Sequence, residues 1–266
     1  MSRTSPIRVL QLTDFHLRAQ SGGTLLGVDT EHSFAGILSA ALNGRHQPAI
    51  ALLTGDLVQD AEPAAYRRLK SLLSPLPCPA YCLPGNHDDP ALIADILAGG
   101  RIHCQPRILL NNWQIVCLDS TIPHSPRGRL ADAQLDLLDK LLGERPEHFA
   151  LIALHHHPLP CGSAWMDTMV LENSNAFFGV LSRHPQVRGV VFGHVHQAMD
   201  TVYQGLRILG APSTCFQFKP LQAEFKLDPI PSGYRWLELH EDGTIISRIR
   251  RLDALPEGLD VDSGGY

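Results

Sequence analysis

Carboxylates and imidazoles, the side chains that bind hard and borderline divalent cations, recur along this chain in short clusters. "TDFH" sets Asp14 and His16 two residues apart, and "TGDL" puts Asp56 directly after Gly55. "LPGNHDD" gathers Asn86, His87, Asp88 and Asp89, "HHHP" holds His155, His156 and His157, and "GHVH" sets His194 and His196 two apart. Singly, each has an ordinary explanation as a turn residue, a helix cap or a surface histidine. Asp89 followed by Pro90 is such a case, an N-cap and first helical position. Jointly, the clusters call for a common cause. Oxygen and imidazole donors without thiolate suit manganese, iron or zinc better than a structural Cys-rich zinc site. There are too many donors for one ion with an open position, whereas two ions sharing a carboxylate would use them all.

Something must carry these clusters to one place. Each follows a short apolar run that reads as a buried strand: "IRVLQL" (7 to 12), "AIALLT" (49 to 54), "AYCL" (80 to 83), "FALIAL" (149 to 154) and "VRGVVF" (187 to 192), with "WQIVCLD" (113 to 119) as a sixth. Helical spacing appears between several of them, at 31 to 44, 63 to 73, 90 to 100, 131 to 142 and 175 to 184. Alternating strands and helices predict an α/β layered fold with largely parallel strands, in which ligands gather at the carboxyl ends. If the backbone stays extended beyond each strand, Asp14 with His16 and His194 with His196 point to the same side. The C-terminal part differs. "YRWLELHEDGTIISRIRRL" (234 to 252) reads as a β-hairpin about a DG turn that closes a sheet edge, and the tail after Pro256 as loosely held.

Composition narrows the rest. A net charge of -5 over 266 residues argues against a nucleic-acid binder, and the one basic cluster, "RIRRL" (248 to 252), reads as a solvated strand face. Six cysteines without CxxC pairs indicate reduced thiols and a cytoplasmic location. No apolar stretch approaches the length that spans a membrane, and "MSRTSPIRVLQL" lacks the apolar region of a signal peptide. Without linkers or repeats, residues 1–266 read as one domain whose segment of about 213–266 completes the fold. The oligomeric state, monomer or homodimer, is open.

The series Asp14-x-His16, Gly55-Asp56, Gly85-Asn86-His87-Asp88, His155 and Gly193-His194-x-His196 resembles the signature of the calcineurin-like metallophosphoesterases. Within that family it is most similar to class III cyclic nucleotide phosphodiesterases, the bacterial 3',5'-cyclic AMP enzymes above all. "QLTDFHL", "LLGVDT", "HHHPLP", "PSTCFQFKP" and the closing "GY" carry the likeness. The resemblance implies a four-layer α/β sandwich, two mixed sheets flanked by helices, which modifies the simpler parallel reading. It also implies two divalent ions, with iron or manganese favoured and zinc or cobalt as alternatives. Asp14, His16, Asp56 and His196 would hold one ion, and Asp56, Asn86, His155 and His194 the other. His155 is chosen over His156, which stays the alternative.

The implied reaction is hydrolysis of cyclic AMP to 5'-AMP by attack of a metal-bound hydroxide. The rivals are a glycerophosphodiesterase or broad phosphodiesterase, and a non-catalytic metal-binding scaffold. His87 is expected to act as the catalytic group, with Asp88 orienting its ring from behind, and Asn86, His87 and His16 as substrate contacts. The base-binding rim is sought in the loop 19 to 29, the segment 160 to 173 and "TCFQFKP", where Phe216 and Phe218 serve either as core or as a stacking platform.

Overall fold

The computed structural model describes residues 5–44 and 47–265; the first four residues of the N-terminal stretch, His46 and the Tyr266 of "GY" lie outside them. The six apolar runs become strands β1 (Ile7–Leu12), β2 (Ile50–Thr54), β3 (Ala80–Leu83), β6 (Trp113–Cys117), β7 (Phe149–Ala153) and β8 (Val187–Phe192). Six further strands complete the two main sheets, beside three small two-stranded ones among the described residues: β4 (Ile102–His103), β5 (Arg107–Leu110), β9 (Met199–Tyr203), β10 (Leu206–Gly210), β11 (Gly233–Leu239) and β12 (Ile245–Arg251). They form two six-stranded sheets, in the orders β12-β11-β1-β2-β3-β4 and β9-β10-β8-β7-β6-β5. Both are mixed. Strands β1 to β4 run parallel, and β11 joins β1 antiparallel, so the C-terminal hairpin closes that edge as expected. In the second sheet β6, β7, β8 and β10 are parallel, with β5 and β9 antiparallel at the two edges.

Strand alternation explains the layering. On β2, Ile50 and Leu52 face the core between the sheets, while Ala51 and Leu53 face the outer helices. Both faces are buried, which is why the strand sequence is continuously apolar rather than alternating. Helices α1 (Thr30–Leu42) and α2 (Pro63–Leu72) cover the first sheet through Phe34, Ile37, Tyr66 and Leu69. Helices α3 (Asp132–Glu144) and α4 (Ser174–Leu181) cover the second through Leu138, Leu142, Phe177 and Leu181. The expected helix at 90 to 100 is shorter. Asp89 caps it with its carboxylate on the Ala91 and Leu92 amides, but the helix is Pro90–Leu92 followed by a π turn at Ile93–Leu97.

The tail is held more firmly than its composition suggested. The Asp260 amide donates to the Leu26 carbonyl at 3.0 Å, and Leu259 packs against the core of the second sheet. Arg235 on β11 ties the sheets together. Its guanidinium donates to the carbonyls of Met199 (2.9 Å) and Gly210 (2.7 Å) and to the Ser247 hydroxyl, all while 1% exposed. Burial lowers its pKa to about 10.

Replacing this side chain by an apolar one of similar length isolates the tie. Arg235→Met leaves buried carbonyls without donors and should lower stability by about 3 kcal/mol, read as a shifted denaturant midpoint at unchanged slope. A loss under about 1 kcal/mol would show that the carbonyls find other donors.

Candidate metal centre

The clusters follow the carboxyl ends of five strands: β1 leads to Asp14 and His16, β2 to Asp56, β3 to Asn86 and His87, β7 to His155, and β8 to His194 and His196. The two sheets face each other, so these ends converge. Backbone contacts lock the loops. The Phe15 and His16 amides both donate to the Asp56 carbonyl, at 2.8 and 3.0 Å. The His194 amide donates to the Asp14 carboxylate (3.0 Å), and the His87 amide to Asp56 Oδ1 (3.0 Å). Two glycines permit this approach. Gly55 turns at φ 88°, and a Cβ there or at Gly85 would collide with His155 or with the Asp56 carboxylate.

One expectation fails. The backbone after β1 and β8 does not stay extended. Asp14 (φ 54°), His16 (46°), His194 (67°) and His196 (47°) are all left-handed, as is Asp56 (48°). Phe15 and Val195, between the paired donors, turn into the core at 0% exposure. The donors do converge, but through alternating left-handed turns rather than strand geometry.

Ring orientation decides what the site can bind. His16 Nδ1 faces Gln59 Oε1 at 2.8 Å, and His196 Nδ1 faces the Phe216 carbonyl at 2.9 Å. Both Nδ1 atoms must therefore carry hydrogen, since carbonyl oxygens only accept. Each Nε2 is left with a lone pair, and these two atoms lie 3.1 Å apart. His155 repeats the pattern. Its Nδ1 donates to the Thr54 carbonyl (2.9 Å), while Nε2 lies 3.2 Å from both Asn86 Oδ1 and Asp56 Oδ2. Asp14 Oδ1 is 3.5 Å from His196 Nε2, and Asp56 Oδ2 is 3.8 Å from His16 Nε2. The His194 Nε2 is buried without a hydrogen-bond partner. Acceptors aimed at acceptors in a buried setting fit bound cations, and the donor set is of the N and O type that two divalent ions take.

Protonation agrees with this. Burial keeps the His16 and His194 imidazoles well below their ordinary range, so they are neutral, as ligands must be. Burial also opposes a charge on Asp56, yet His155, His87 and His16 hold its carboxyl well below the usual range. On His155 burial is outweighed by Asp56 and Asp14, and the ring rises to about 9. A proton or a metal ion at its Nε2 satisfies the same electrostatic demand.

Donor atoms of Asp14, His16 and His196 lie within 4.8 Å of one another, as do those of Asp14, Asp56 and His155, and those of His16, Asp56 and His87. So do those of His155, His156 and His194; His156 Nδ1 meets the Ser120 hydroxyl at 2.8 Å and its Nε2 is buried without a hydrogen-bond partner, so His156 stays the alternative to His155. His157 packs against His194 and lies 3.6 Å from Asp167.

Asp88 does not orient His87. Its carboxylate accepts from the amides of Gly85 (2.9 Å), Leu57 (3.1 Å) and Val58 (3.3 Å) and from the Tyr66 hydroxyl (3.1 Å), clamping the Asp56 loop to the Asn86 loop. Burial and nearby Asp56 push that carboxyl up to about 7. His87 is oriented instead by the Gln59 carbonyl, 3.0 Å from its Nδ1. Gln59, which thus serves two histidines, was missing from the sequence reading; its place three residues after Asp56 was the only signal. Phe216 and Phe218 are core residues, 0% and 2% exposed, stacked on His16 (5.9 Å) and His196 (4.1 Å).

Buried oxygen and imidazole donors, converging where two mixed sheets present their strand ends, define a metal-dependent hydrolase. The chain belongs to the calcineurin-like phosphoesterase family, which matches residues 7–198 and uses a dinuclear metal centre. It is 40% identical over 262 residues to the 3',5'-cyclic adenosine monophosphate phosphodiesterase CpdA of Pseudomonas aeruginosa, covering 98% of this chain and 95% of that one. It is 37% identical to a 3',5'-cyclic-nucleotide phosphodiesterase of Nostoc, covering 95% of each chain. The fold is shared with a dimetal phosphatase from Danio rerio at a TM-score of 0.65 and 15% identity, over 92% of this chain and 96% of the other. It is equally shared with GAP50, the anchor in the inner membrane complex of Plasmodium, at a TM-score of 0.65, 11% identity, and 98% and 88% coverage.

Because Asp56 faces both groups of donors, its removal should act on both. Asp56→Ala is expected to lose bound metal and activity together, followed by elemental analysis of the purified variant beside its turnover. Full metal content with retained activity would contradict this placement.

Proposed function

We propose that this chain hydrolyses 3',5'-cyclic AMP to 5'-AMP at a two-metal centre, with Asp14, His16, Asp56 and His196 holding one ion and Asp56, Asn86, His155 and His194 the other. Asp56 bridges, and the ions are iron or manganese. The observation that carries this reading is the opposition of the His16 and His196 Nε2 atoms to each other, with His155 Nε2 turned onto Asp56 and Asn86, beside a cavity of about 290 Å³. The names of the relatives support cyclic AMP as the substrate.

Two bound divalent ions would supply Lewis acidity, offsetting phosphoryl charge and lowering the pKa of water toward about 7. The chain's own residues do the rest. The cavity has a polar end of Asp56, Asn86, His87 and His194, and an apolar end of Trp165, Met166, Met169, Phe218 and Phe225. A phosphodiester and a nucleobase match these two ends. With its Nδ1 hydrogen on the Gln59 carbonyl, His87 presents Nε2 to the substrate, where it donates to a phosphoryl oxygen or protonates the leaving 3' oxygen. Asn86 borders the same space. His16 is fully buried with its ring nitrogens facing Gln59 and His196, a ligand's placement rather than a substrate contact. Of the expected rim, the segment 160 to 173 contributes Trp165, Met166 and Met169, and the loop 19 to 29 contributes nothing to this cavity.

A glycerophosphodiesterase would share the metal end but has no use for the aromatic end. Among the described residues no helix is long and apolar enough to cross a membrane, and the reading as a cytoplasmic enzyme rests on that and on its free cysteines. The hairpin's place beside β1 supports reading residues 1–266 as one domain. Turnover of cyclic AMP against cyclic GMP, 2',3'-cyclic nucleotides and glycerophosphodiesters tests the substrate, and absent turnover at full metal content would leave a scaffold.

His87→Ala should slow turnover by about 10² to 10⁴-fold with metal content unchanged, and loss of both metals in this variant would refute the role. Trp165→Ala removes the large aromatic at the apolar end. By the usual worth of base–aromatic stacking, about 1–3 kcal/mol, the Kd for 5'-AMP should rise by about 5- to 150-fold while that for base-free ribose 5-phosphate stays unchanged.

A further inference from the structure

Outside the metal centre, two thiols face each other at the open edge of the first sheet. Register places Ala80 beside Ile102 and Tyr81 beside His103, so the next lateral pair is Cys82 and Cys104. Their Sγ atoms are 3.1 Å apart. Cys82 is 3% exposed and also faces the His103 carbonyl at 3.5 Å, whereas Cys104 is exposed. We propose that Cys82 and Cys104 form an oxidation site that takes a hydroperoxide at Cys104 and closes to a disulfide through Cys82.

The division of labour follows from access. An oxidant reaches Cys104 from solvent but not Cys82. A hydrogen bond from Cys82 lowers the Cys104 thiol against the effect of its partial burial, which favours the nucleophilic thiolate. That thiolate attacks one peroxide oxygen, the O–O bond breaks, and the departing oxygen takes a proton as alcohol or water, leaving a sulfenic acid on Cys104. Cys82 Sγ then attacks the Cys104 sulfur. The S–O bond breaks, the leaving hydroxide takes the Cys82 proton as water, and the S–S bond forms. Two electrons pass from the sulfur pair to the peroxide, with no other reactant.

The strands already hold the two Cα atoms as lateral neighbours, so little backbone movement is needed. Closure would turn the segment 83 to 103, which contains Asn86, His87 and Asp88, into a covalent loop. Cys117 is the competing partner, being buried and close enough for Cys104 to raise its thiol after burial has done so. The register favours Cys82.

The test exposes the reduced, metal-loaded enzyme to hydrogen peroxide, blocks remaining thiols by alkylation, and reads mass and non-reducing peptide maps. The expected product is lighter by two hydrogens, has two of its six thiols protected, joins the peptides of Cys82 and Cys104, and reverts with dithiothreitol. Cys104→Ser should abolish the cross-link and Cys117→Ser should leave it intact. Addition of oxygen at Cys104 without a cross-link, or a cross-link to Cys117, would overturn the assignment. Cys104→Ser alters an exposed residue, so its folding is not at issue.

Discussion

Buried acceptor atoms that point at one another are the constraint on which this structure turns. In a low-dielectric interior an unpaired lone pair or carboxylate is expensive, and here Nε2 of His16 faces Nε2 of His196 while Nε2 of His155 faces Asp56 and Asn86. The far nitrogen of each ring is fixed as a donor by Gln59, Phe216 or Thr54, so no tautomer change relieves the opposition. Positive charge at the centre does. The same bonds that orient the rings make their inner nitrogens better ligands, because the hydrogen donated outward leaves basicity on the inner side.

Holding that arrangement strains the backbone. Five donor residues, Asp14, His16, Asp56, His194 and His196, adopt left-handed φ without being glycine, a conformation that costs of order 1–3 kcal/mol per residue. The loops are over-determined enough to bear it. Their amides are engaged on Asp56 and on the Asp14 carboxylate, Asp88 clamps two loops through three amides, and the strands feeding them are packed on both faces. Alternating left-handed turns let two donors separated by one residue converge while Phe15 and Val195 anchor between them.

This explains what the sequence disclosed and what it hid. Strands such as 7 to 12 and 187 to 192 were legible to the residue because their buried positions leave a mostly apolar run, broken only by Arg8, Gln11 and Arg188. Edge strands such as Met199–Tyr203, with three of its five residues exposed, and the two-residue Ile102–His103 carry no such signature and were missed. The donors themselves were conspicuous by type and by position after strands. Their conformation was not, since nothing in "TDFH" or "GHVH" announces a left-handed backbone at non-glycine residues. Asp88 was placed behind His87 by adjacency, but amides of Leu57 and Val58 reach it from a loop about thirty positions away. Backbone carbonyls that orient rings, those of Thr54, Gln59 and Phe216, leave no trace in side-chain identity.

The frame alone does not decide a role, since a phosphatase and a membrane-complex anchor share it at 15% and 11% identity. In this chain the loop after β7 carries both a candidate ligand, His155, and the cavity-lining Trp165. The two are not independently mobile. Asp167 accepts the Cys161 and Gly162 amides at 2.7 and 3.0 Å, and these contacts together with His157 hold its carboxyl near 2 against the effect of burial. The loop is thereby folded back on the histidine run that begins it. From the other side Phe218 stacks on His196 at 4.1 Å and meets Trp165 edge-on at 5.1 Å. The aromatic end of the cavity is therefore braced directly on the imidazole of a candidate metal ligand. A group bound against Trp165 would have its distance to the polar end set in part by these contacts. In the proposed reading, selection at one end and chemistry at the other are linked through Phe218 and through Asp167.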